Sequence, residues 1–119
     1  MELSGRTVLL AEDEPLIAIE ICTAFEEVGA KVVLASSLNA ALKAVEDPGL
    51  SVAILDHALG REDSSRVCAR LKELDVPFFL YSGHAHSDGA CAKALHIAKP
   101  ASSRTLIAAV VGLLTETAH

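Results

Sequence analysis

The chain has 119 residues, 51% of them hydrophobic and 22% charged, which is typical of a globular protein rather than a disordered one. A chain of this length corresponds to one domain, so we expect residues 1–119 to form a single domain. The formal net charge of -6 disfavours nucleic acid as a partner, because the phosphate backbone is itself an anion.

The apolar segments are too short to cross a membrane, which takes about 20 consecutive apolar residues. The residues Met1 to Arg6 contain no basic stretch followed by an apolar core, so we expect no secretory signal. We therefore expect no membrane partner and a cytoplasmic location.

The three cysteines are widely spaced and form no CxxC motif. They are Cys22, Cys68 and Cys91. This pattern favours reduced thiols that pack as small apolar side chains over a disulfide framework.

Five short apolar runs predict strands covered on both faces, because their hydrophobicity is continuous rather than alternating. In chain order the runs are Val8–Ala11, Val32–Ala35, Val52–Leu55, Phe78–Tyr81 and the weaker His96–Ala98.

Amphipathic stretches between and after these runs predict helices. These run from Pro15 to Val28, from Ser37 or Asn39 to Val45, from Ser64 or Ser65 to Leu74, and from Ser102 or Ser103 to Leu114. A helix between Ser87 and Leu95, the fourth in chain order, is expected to be short or irregular, because the segment is Ala-rich and interrupted by glycine.

This alternation predicts an α/β fold with a doubly wound parallel sheet of five strands and helices on both faces, since each crossover is right-handed. Ligands of such folds bind beyond the carboxyl ends of the strands. The residues that directly follow the strands are therefore the candidate site.

Carboxylates, a hydroxyl and a lysine follow the predicted strands. Glu12 and Asp13 come after the first strand, Asp56 after the third, Ser82 after the fourth and Lys99 after the fifth. A Gly-rich nucleotide-binding turn is absent after the first strand, which argues against a dinucleotide fold or a P-loop.

Crowded carboxylates repel one another unless a cation lies between them, and Mg²⁺ is commonly held by carboxylates and phosphate oxygens. Glu12, Asp13 and Asp56 form a plausible cage for Mg²⁺. Lys99 and Ser82 suit the oxygens of a phosphoryl group, and Asp56 is the best candidate nucleophile. The chemistry indicated is an aspartyl phosphate formed beside Mg²⁺. Taken alone, Asp13 is equally explained as a helix cap.

Histidines near the same edge raise the question of a transition metal. His84, His86 and Cys91 lie close in sequence, and His57 is expected near the same edge of the sheet. They lack the spacing of a tetrahedral site, and we predict no zinc. We expect His57 and His84 to affect the lifetime of an acyl phosphate on Asp56.

Together these residues resemble the receiver domains of two-component response regulators. The acidic pair Glu12-Asp13, the strand-ending Asp56, the Ser82-Gly83 pair and the Lys99-Pro100 pair occur in the family's order over nearly the whole chain. The resemblance implies a flavodoxin-like strand order of 2-1-3-4-5.

The resemblance also implies roles for individual residues. Asp56 would accept the phosphoryl group from a histidine kinase or a phosphotransfer protein, and Mg²⁺ would be held by Glu12, Asp13, Asp56 and the backbone carbonyl of Ala58. Lys99 and Ser82 would contact the phosphoryl oxygens. Ser82 would move inward in the phosphorylated state.

Two features depart from the common pattern of the family. His96 occupies the position, three residues before Lys99, where receivers usually have an aromatic switch residue, so a titratable group would sit in the switch. The segment Pro77–His84 is similar to the Pro-Phe-x-x-x-Thr-Gly-Tyr motif of a single-domain subgroup, although Ser82 and His84 replace its Thr and Tyr. That subgroup is commonly partnered by HWE-type or related histidine kinases in alphaproteobacteria.

The leading hypothesis is a stand-alone phosphoacceptor rather than an enzyme acting on an external substrate. A receiver that fills the chain would signal by changing its contacts with a downstream protein. The alternatives are an interaction module that has the fold but does not depend on phosphorylation, and, less favoured, a phosphatase with an aspartate nucleophile.

Overall fold

The computed structural model describes residues 2–56, 58–59, 62–83, 91 and 94–117. Within them lie seven strands and four helices. The strands are β1 (Thr7–Ala11), β2 (Lys31–Ala35), β3 (Val52–Leu55), β4 (Ala58–Leu59), β5 (Glu62–Asp63), β6 (Phe78–Ser82) and β7 (Leu95–Ala98). The helices are α1 (Pro15–Glu27), α2 (Leu38–Ala44), α3 (Ser65–Glu73) and α4 (Ser103–Thr117).

Five of the strands form one parallel sheet in the order β2-β1-β3-β6-β7. Counting only these five strands along the chain, the order is 2-1-3-4-5, which confirms the prediction. The register pairs Ala11 with both Ala35 and Leu55, so β1, β2 and β3 end at the same level. Residues that follow these strands therefore emerge side by side at one edge of the sheet.

Two apolar cores lie on opposite faces of the sheet, as continuous hydrophobic strands predict. Successive residues of a strand point to opposite faces, and in β1 Val8 and Leu10 join one core while Leu9 and Ala11 join the other. The first core is closed by α1 and α4, and the second by α2 and α3. Both faces are thus covered by helices.

The helix ends have residue types that suit their geometry. Pro15 occupies the first turn of α1, and Gly29, just past its end, has a φ of 96°, a left-handed conformation that favours glycine. The Ser37 hydroxyl accepts a hydrogen bond from the Ala40 N–H at 3.1 Å, and Ser102 does the same for Thr105 at 3.1 Å. Of the alternatives left open, Ser37 and Ser102 are the caps.

One observed element, a short pair of strands, was not predicted from the sequence. β4 and β5, each two residues long, pair antiparallel between β3 and α3. Most of the short helix predicted between Ser87 and Leu95 falls on positions 87–90 and 92–93, which lie outside the described residues, and Leu95 itself begins β7. Among the residues that are described, no helix is long and apolar enough to cross a membrane.

The expectation of three reduced cysteines is wrong for two of them. Cys68 and Cys91 form a disulfide, while Cys22 is free. The two partners are 23 residues apart in sequence, but folding brings their Cα atoms to 5.5 Å. Sequence spacing without a motif carries no information about such an approach between α3 and the chain that follows β6.

Candidate functional site

The site lies at the carboxyl edge of the parallel sheet. Beyond the ends of the strands, the Glu12 N–H donates to the Ala35 carbonyl and the Asp56 N–H donates to the Ala11 carbonyl, each at 3.0 Å. These bonds continue the sheet ladder by one residue. They hold the backbones of Glu12 and Asp56 next to each other.

Three carboxylates converge there. Glu12, Asp13 and Asp56 each offer an oxygen within 4.8 Å of the others. Glu12 is buried at 2% exposure, Asp56 is half-buried and Asp13 is exposed, so the cluster opens to solvent on one side. Oxygen donors of this kind, crowded and partly desolvated, fit a hard divalent cation such as Mg²⁺.

Lys99 joins two of these carboxylates. Its Nζ lies 2.8 Å from Glu12 Oε1 and 3.2 Å from Asp56 Oδ2, and its backbone N–H donates to the Ser82 carbonyl at 2.9 Å. The peptide bond from Lys99 to Pro100 is cis. The ammonium group therefore offsets part of the negative charge of the cluster.

The electrostatics of this pair follow from its burial. Burial raises the pKa of Glu12, and the nearby charge of Asp56 raises it further, although hydrogen bonds from Lys99 and from the Glu14 N–H oppose the shift. Burial alone would lower the pKa of Lys99, but the hydrogen bond to Glu12 and the charge of Asp56 outweigh it, and the pKa is raised. Lys99 is consequently a cation over the whole neutral range.

Ser82 and His96 meet beside this cluster. Ser82 is buried at the end of β6, and its Oγ lies 2.9 Å from Nε2 of His96 in the neighbouring strand β7. Either atom can be the donor, depending on the tautomer of the imidazole. The structure thus brings together the two residues predicted to act as the switch.

Two further residues support the site and were not predicted to do so. The Tyr81 hydroxyl accepts from the Ala101 N–H at 3.1 Å and donates to the Ala101 carbonyl at 3.2 Å, and the Tyr81 ring centroid lies 5.4 Å from Lys99 Nζ. Ser64 precedes α3 as predicted, but its hydroxyl makes no cap and donates instead to the Asp56 carbonyl at 2.5 Å. Both are tertiary contacts that no local pattern in the sequence signals.

Asp13, Ala58 and three histidines are the other residues that were predicted at or near the site. The residue that precedes the first turn of α1 is Glu14 rather than Asp13, so the reading of Asp13 as a helix cap is wrong. Ala58 begins β4, and the role of its carbonyl as a metal ligand stays a prediction. The three other histidines considered near the site lie outside the described residues: His57, His84 and His86.

Comparison with known proteins is consistent with this geometry. The family model for the response regulator receiver domain matches residues 8–111. None of the curated protein sequences compared matches the chain.

Solved structures share the fold over nearly their whole length. A response regulator receiver protein from Sinorhizobium medicae is 27% identical, with a TM-score of 0.84 over 95% of this chain and 97% of that one. A CheY-like receiver domain protein from Methanospirillum hungatei is 21% identical, with a TM-score of 0.84 over 95% and 96%. The receiver domain of a Francisella response regulator is 24% identical, with a TM-score of 0.79 over 94% and 98%.

Proposed function

The chain belongs to the response regulator receiver domain family, and on that premise we propose that it is a single-domain response regulator phosphorylated on Asp56. The observation that carries the proposal is the contact of Lys99 with both Glu12 and Asp56 inside the acidic cluster. This arrangement supplies a carboxylate nucleophile, a cation and a set of metal ligands at one edge of the sheet.

The proposed reaction is a phosphoryl transfer from a phosphohistidine of a histidine kinase or a phosphotransfer protein. A carboxylate oxygen of Asp56 forms a bond to phosphorus, and the bond from phosphorus to the imidazole nitrogen breaks. The imidazole keeps that electron pair, and the product on this chain is an acyl phosphate. Such transfer requires positioning and charge neutralisation more than covalent catalysis by the protein.

Mg²⁺ fits the donor set, and we propose Glu12, Asp13, Asp56 and the Ala58 carbonyl as its ligands. When bound, it would neutralise negative charge on the phosphoryl oxygens and on the carboxylates. Lys99 contributes a second positive charge, and its contact with Asp56 places the ammonium within reach of a phosphoryl group there.

Ser82 and His96 would report the phosphorylated state. A phosphoryl oxygen on Asp56 is a strong acceptor for the Ser82 hydroxyl, and it competes with the bond of Ser82 to His96. His96 lies on β7, an edge strand of the sheet, so its release would change a surface available to a partner. We propose that this surface, with α4, contacts a downstream protein in the cytosol, and that a kinase of the HWE type is the phosphate donor.

The test is incubation with acetyl phosphate, with Mg²⁺ or with a chelator in its place, followed by intact mass measurement. We expect one phosphoryl group per chain with Mg²⁺, far less with the chelator, and none on Asp56→Asn. Asp47→Asn is the matched control, because Asp47 is an exposed carboxylate in a turn remote from the cluster. An unmodified wild-type chain, also with a phosphorylated histidine kinase as donor, would favour the phosphorylation-independent module. Hydrolysis of a phosphorylated metabolite would favour the phosphatase.

A further inference from the structure

The disulfide between Cys68 and Cys91 joins the two parts of the chain that support the phosphorylation site. Cys68 lies in α3, and Cys91 lies in the connection between β6 and β7. Both are deeply buried, at 0% and 3% exposure, in the apolar core closed by α2 and α3. The covalent ring they close contains the whole of β6, with Ser82 at its end.

A chain of hydrogen bonds leads from Cys68 to the phosphoacceptor. The Cys68 N–H donates to the Ser64 carbonyl at 2.9 Å, and the Ser64 hydroxyl donates to the Asp56 carbonyl at 2.5 Å. Ser64 is itself buried. The first turn of α3 therefore fixes the backbone of Asp56 relative to Cys68.

A second set of contacts leads from Cys91 to the switch. The Ala94 N–H donates to the Cys91 carbonyl at 3.1 Å, which places Cys91 one turn before β7. Within β7, His96 lies 2.9 Å from the Ser82 hydroxyl. The position of Cys91 is thus tied to the position of His96.

We propose that Cys68 and Cys91 form a reversible redox clasp, whose oxidation state sets the geometry of the Ser82–His96 contact and thereby the phosphorylation of Asp56. The part of the proposal that concerns phosphorylation rests on the proposed function of Asp56. In the cytosol, where we propose that the chain acts, disulfides are usually transient or redox-sensing, which agrees with a regulatory role for this one.

Both redox states suit the surroundings of the two sulfur atoms. The neighbouring side chains of the core are apolar, and a thiol packs there as a small hydrophobic group without needing a charged partner. Reduction therefore leaves no buried charge behind. Because both cysteines are buried, a reductant reaches the sulfur atoms only when Cys91 and Cys68 become exposed.

The chemistry is thiol–disulfide exchange with a dithiol. A reductant thiolate attacks one sulfur of the disulfide, so the S–S bond breaks and a mixed disulfide forms. The second thiol of the reductant then attacks the reductant sulfur of the mixed disulfide, and the protein cysteine leaves as a thiolate. The two cysteines end as protonated thiols, and the reductant ends as a disulfide. Oxidation by glutathione disulfide reverses the step, with two glutathione thiols as the products.

The first measurement asks whether the clasp opens and closes. We use the Cys22→Ala chain, which removes the free thiol, equilibrate it with dithiothreitol or glutathione disulfide, denature it, alkylate it and count modified cysteines by mass. We expect two alkylated cysteines after reduction and none after oxidation. Two alkylated cysteines after oxidation, or none after reduction, would overturn the clasp.

The second measurement reads the geometry without phosphorylation. We compare imidazole NMR signals of the oxidised and reduced chains, with His96→Gln to assign the signal of His96. We expect that signal to move on reduction, and to be indifferent to dithiothreitol in Cys68→Ser. An unmoved His96 signal in a chain whose disulfide has demonstrably opened would contradict the proposal.

The third measurement reads phosphorylation, as the fraction of chain carrying a phosphoryl group on Asp56 in acetyl phosphate and Mg²⁺. We expect the ratio of phosphorylated to unphosphorylated chain to differ about fivefold between the oxidised and the reduced protein. Equal ratios would refute the link to phosphorylation. Absence of the adduct in both redox states would instead contradict the proposed function, while the His96 signal still decides whether the clasp acts on the site.

Discussion

In the absence of metal, substitutions of Lys99 and Glu12 should show a large coupling energy in the free energy of unfolding. The perturbation is a double-mutant cycle of Glu12→Gln, Lys99→Met and both together. Each single change removes one charge and leaves the other in the cluster. Glutamine keeps the shape of glutamate, and methionine keeps most of the apolar stem of lysine.

The magnitude follows from the geometry of the pair. At the observed separation of 2.8 Å, the Coulomb attraction of two unit charges is about 6 kcal/mol at an effective dielectric constant of about 20, and about 1.5 kcal/mol in water. Glu12 is buried at 2% exposure, but Lys99 is 19% exposed and partly screened by solvent. Because this screening weakens the attraction, we expect a coupling energy of about 2 kcal/mol.

The assay is urea unfolding of the four chains at neutral pH with a chelator present. A matched control is the pair Arg70–Glu46, whose N–O distance of 2.6 Å is at least as short but whose side chains are 38% and 51% exposed. The control cycle with Arg70→Met and Glu46→Gln should show much weaker coupling, because solvent screens exposed pairs. Additivity within about 0.3 kcal/mol at Lys99 and Glu12 would refute the reasoning, as would equal coupling in the two cycles.

Four further outcomes follow from the same structure. The pKa of Glu12 is raised above its ordinary value of 4.5, so just above pH 4.5 the folded chain binds more protons than the unfolded chain. The unfolding free energy of the wild type minus that of Glu12→Gln should therefore fall as the pH rises from 4.5 through the raised pKa. A difference that does not change with pH would contradict the shift. Mg²⁺ at about 100 times its dissociation constant should stabilise the wild type by about 2.7 kcal/mol in urea unfolding, and an equal gain in Asp56→Asn would argue against that carboxylate as a ligand. Tyr81→Phe should cost about 1 kcal/mol in the same assay, because both backbone groups of Ala101 lose a partner; no loss would mean that water replaces the hydroxyl. Reduction of the disulfide at Cys68, which closes a loop with a separation of 23 residues, should lower the unfolding free energy by about 3 kcal/mol, and no change in a chain shown to be reduced would contradict that estimate.

The sheet and the convergence of the site could be predicted from the sequence. Continuous apolar runs such as Val52–Leu55 occur where both faces of a strand are covered, and parallel strands bring the residues after their ends to one edge. That rule brings Glu12 and Asp56 to one edge, and the strand order implied by the family resemblance places them next to each other. Helix ends can be predicted equally well where the geometry favours one residue type, as at Pro15 and Gly29.

The contacts that could not be predicted are tertiary. The β4–β5 hairpin has strands of two residues, too short to show a hydrophobic period. Ser64 has the sequence position of a helix cap, and only the folded chain shows that its hydroxyl bonds to Asp56. The approach of Cys68 to Cys91 depends on how α3 packs against the chain after β6. Side chains of these types have several possible partners, and local sequence does not choose among them.

The central claim is that Asp56 is the phosphoacceptor, and peptide mapping tests it most directly. The protein is treated with acetyl phosphate and Mg²⁺, quenched in acid, digested and analysed by tandem mass spectrometry. We predict a phosphoryl group on the peptide that contains Asp56, assigned to that carboxylate and removed by mild base. A phosphoryl group on Asp13 or on a histidine, with Asp56 unmodified, would contradict the account.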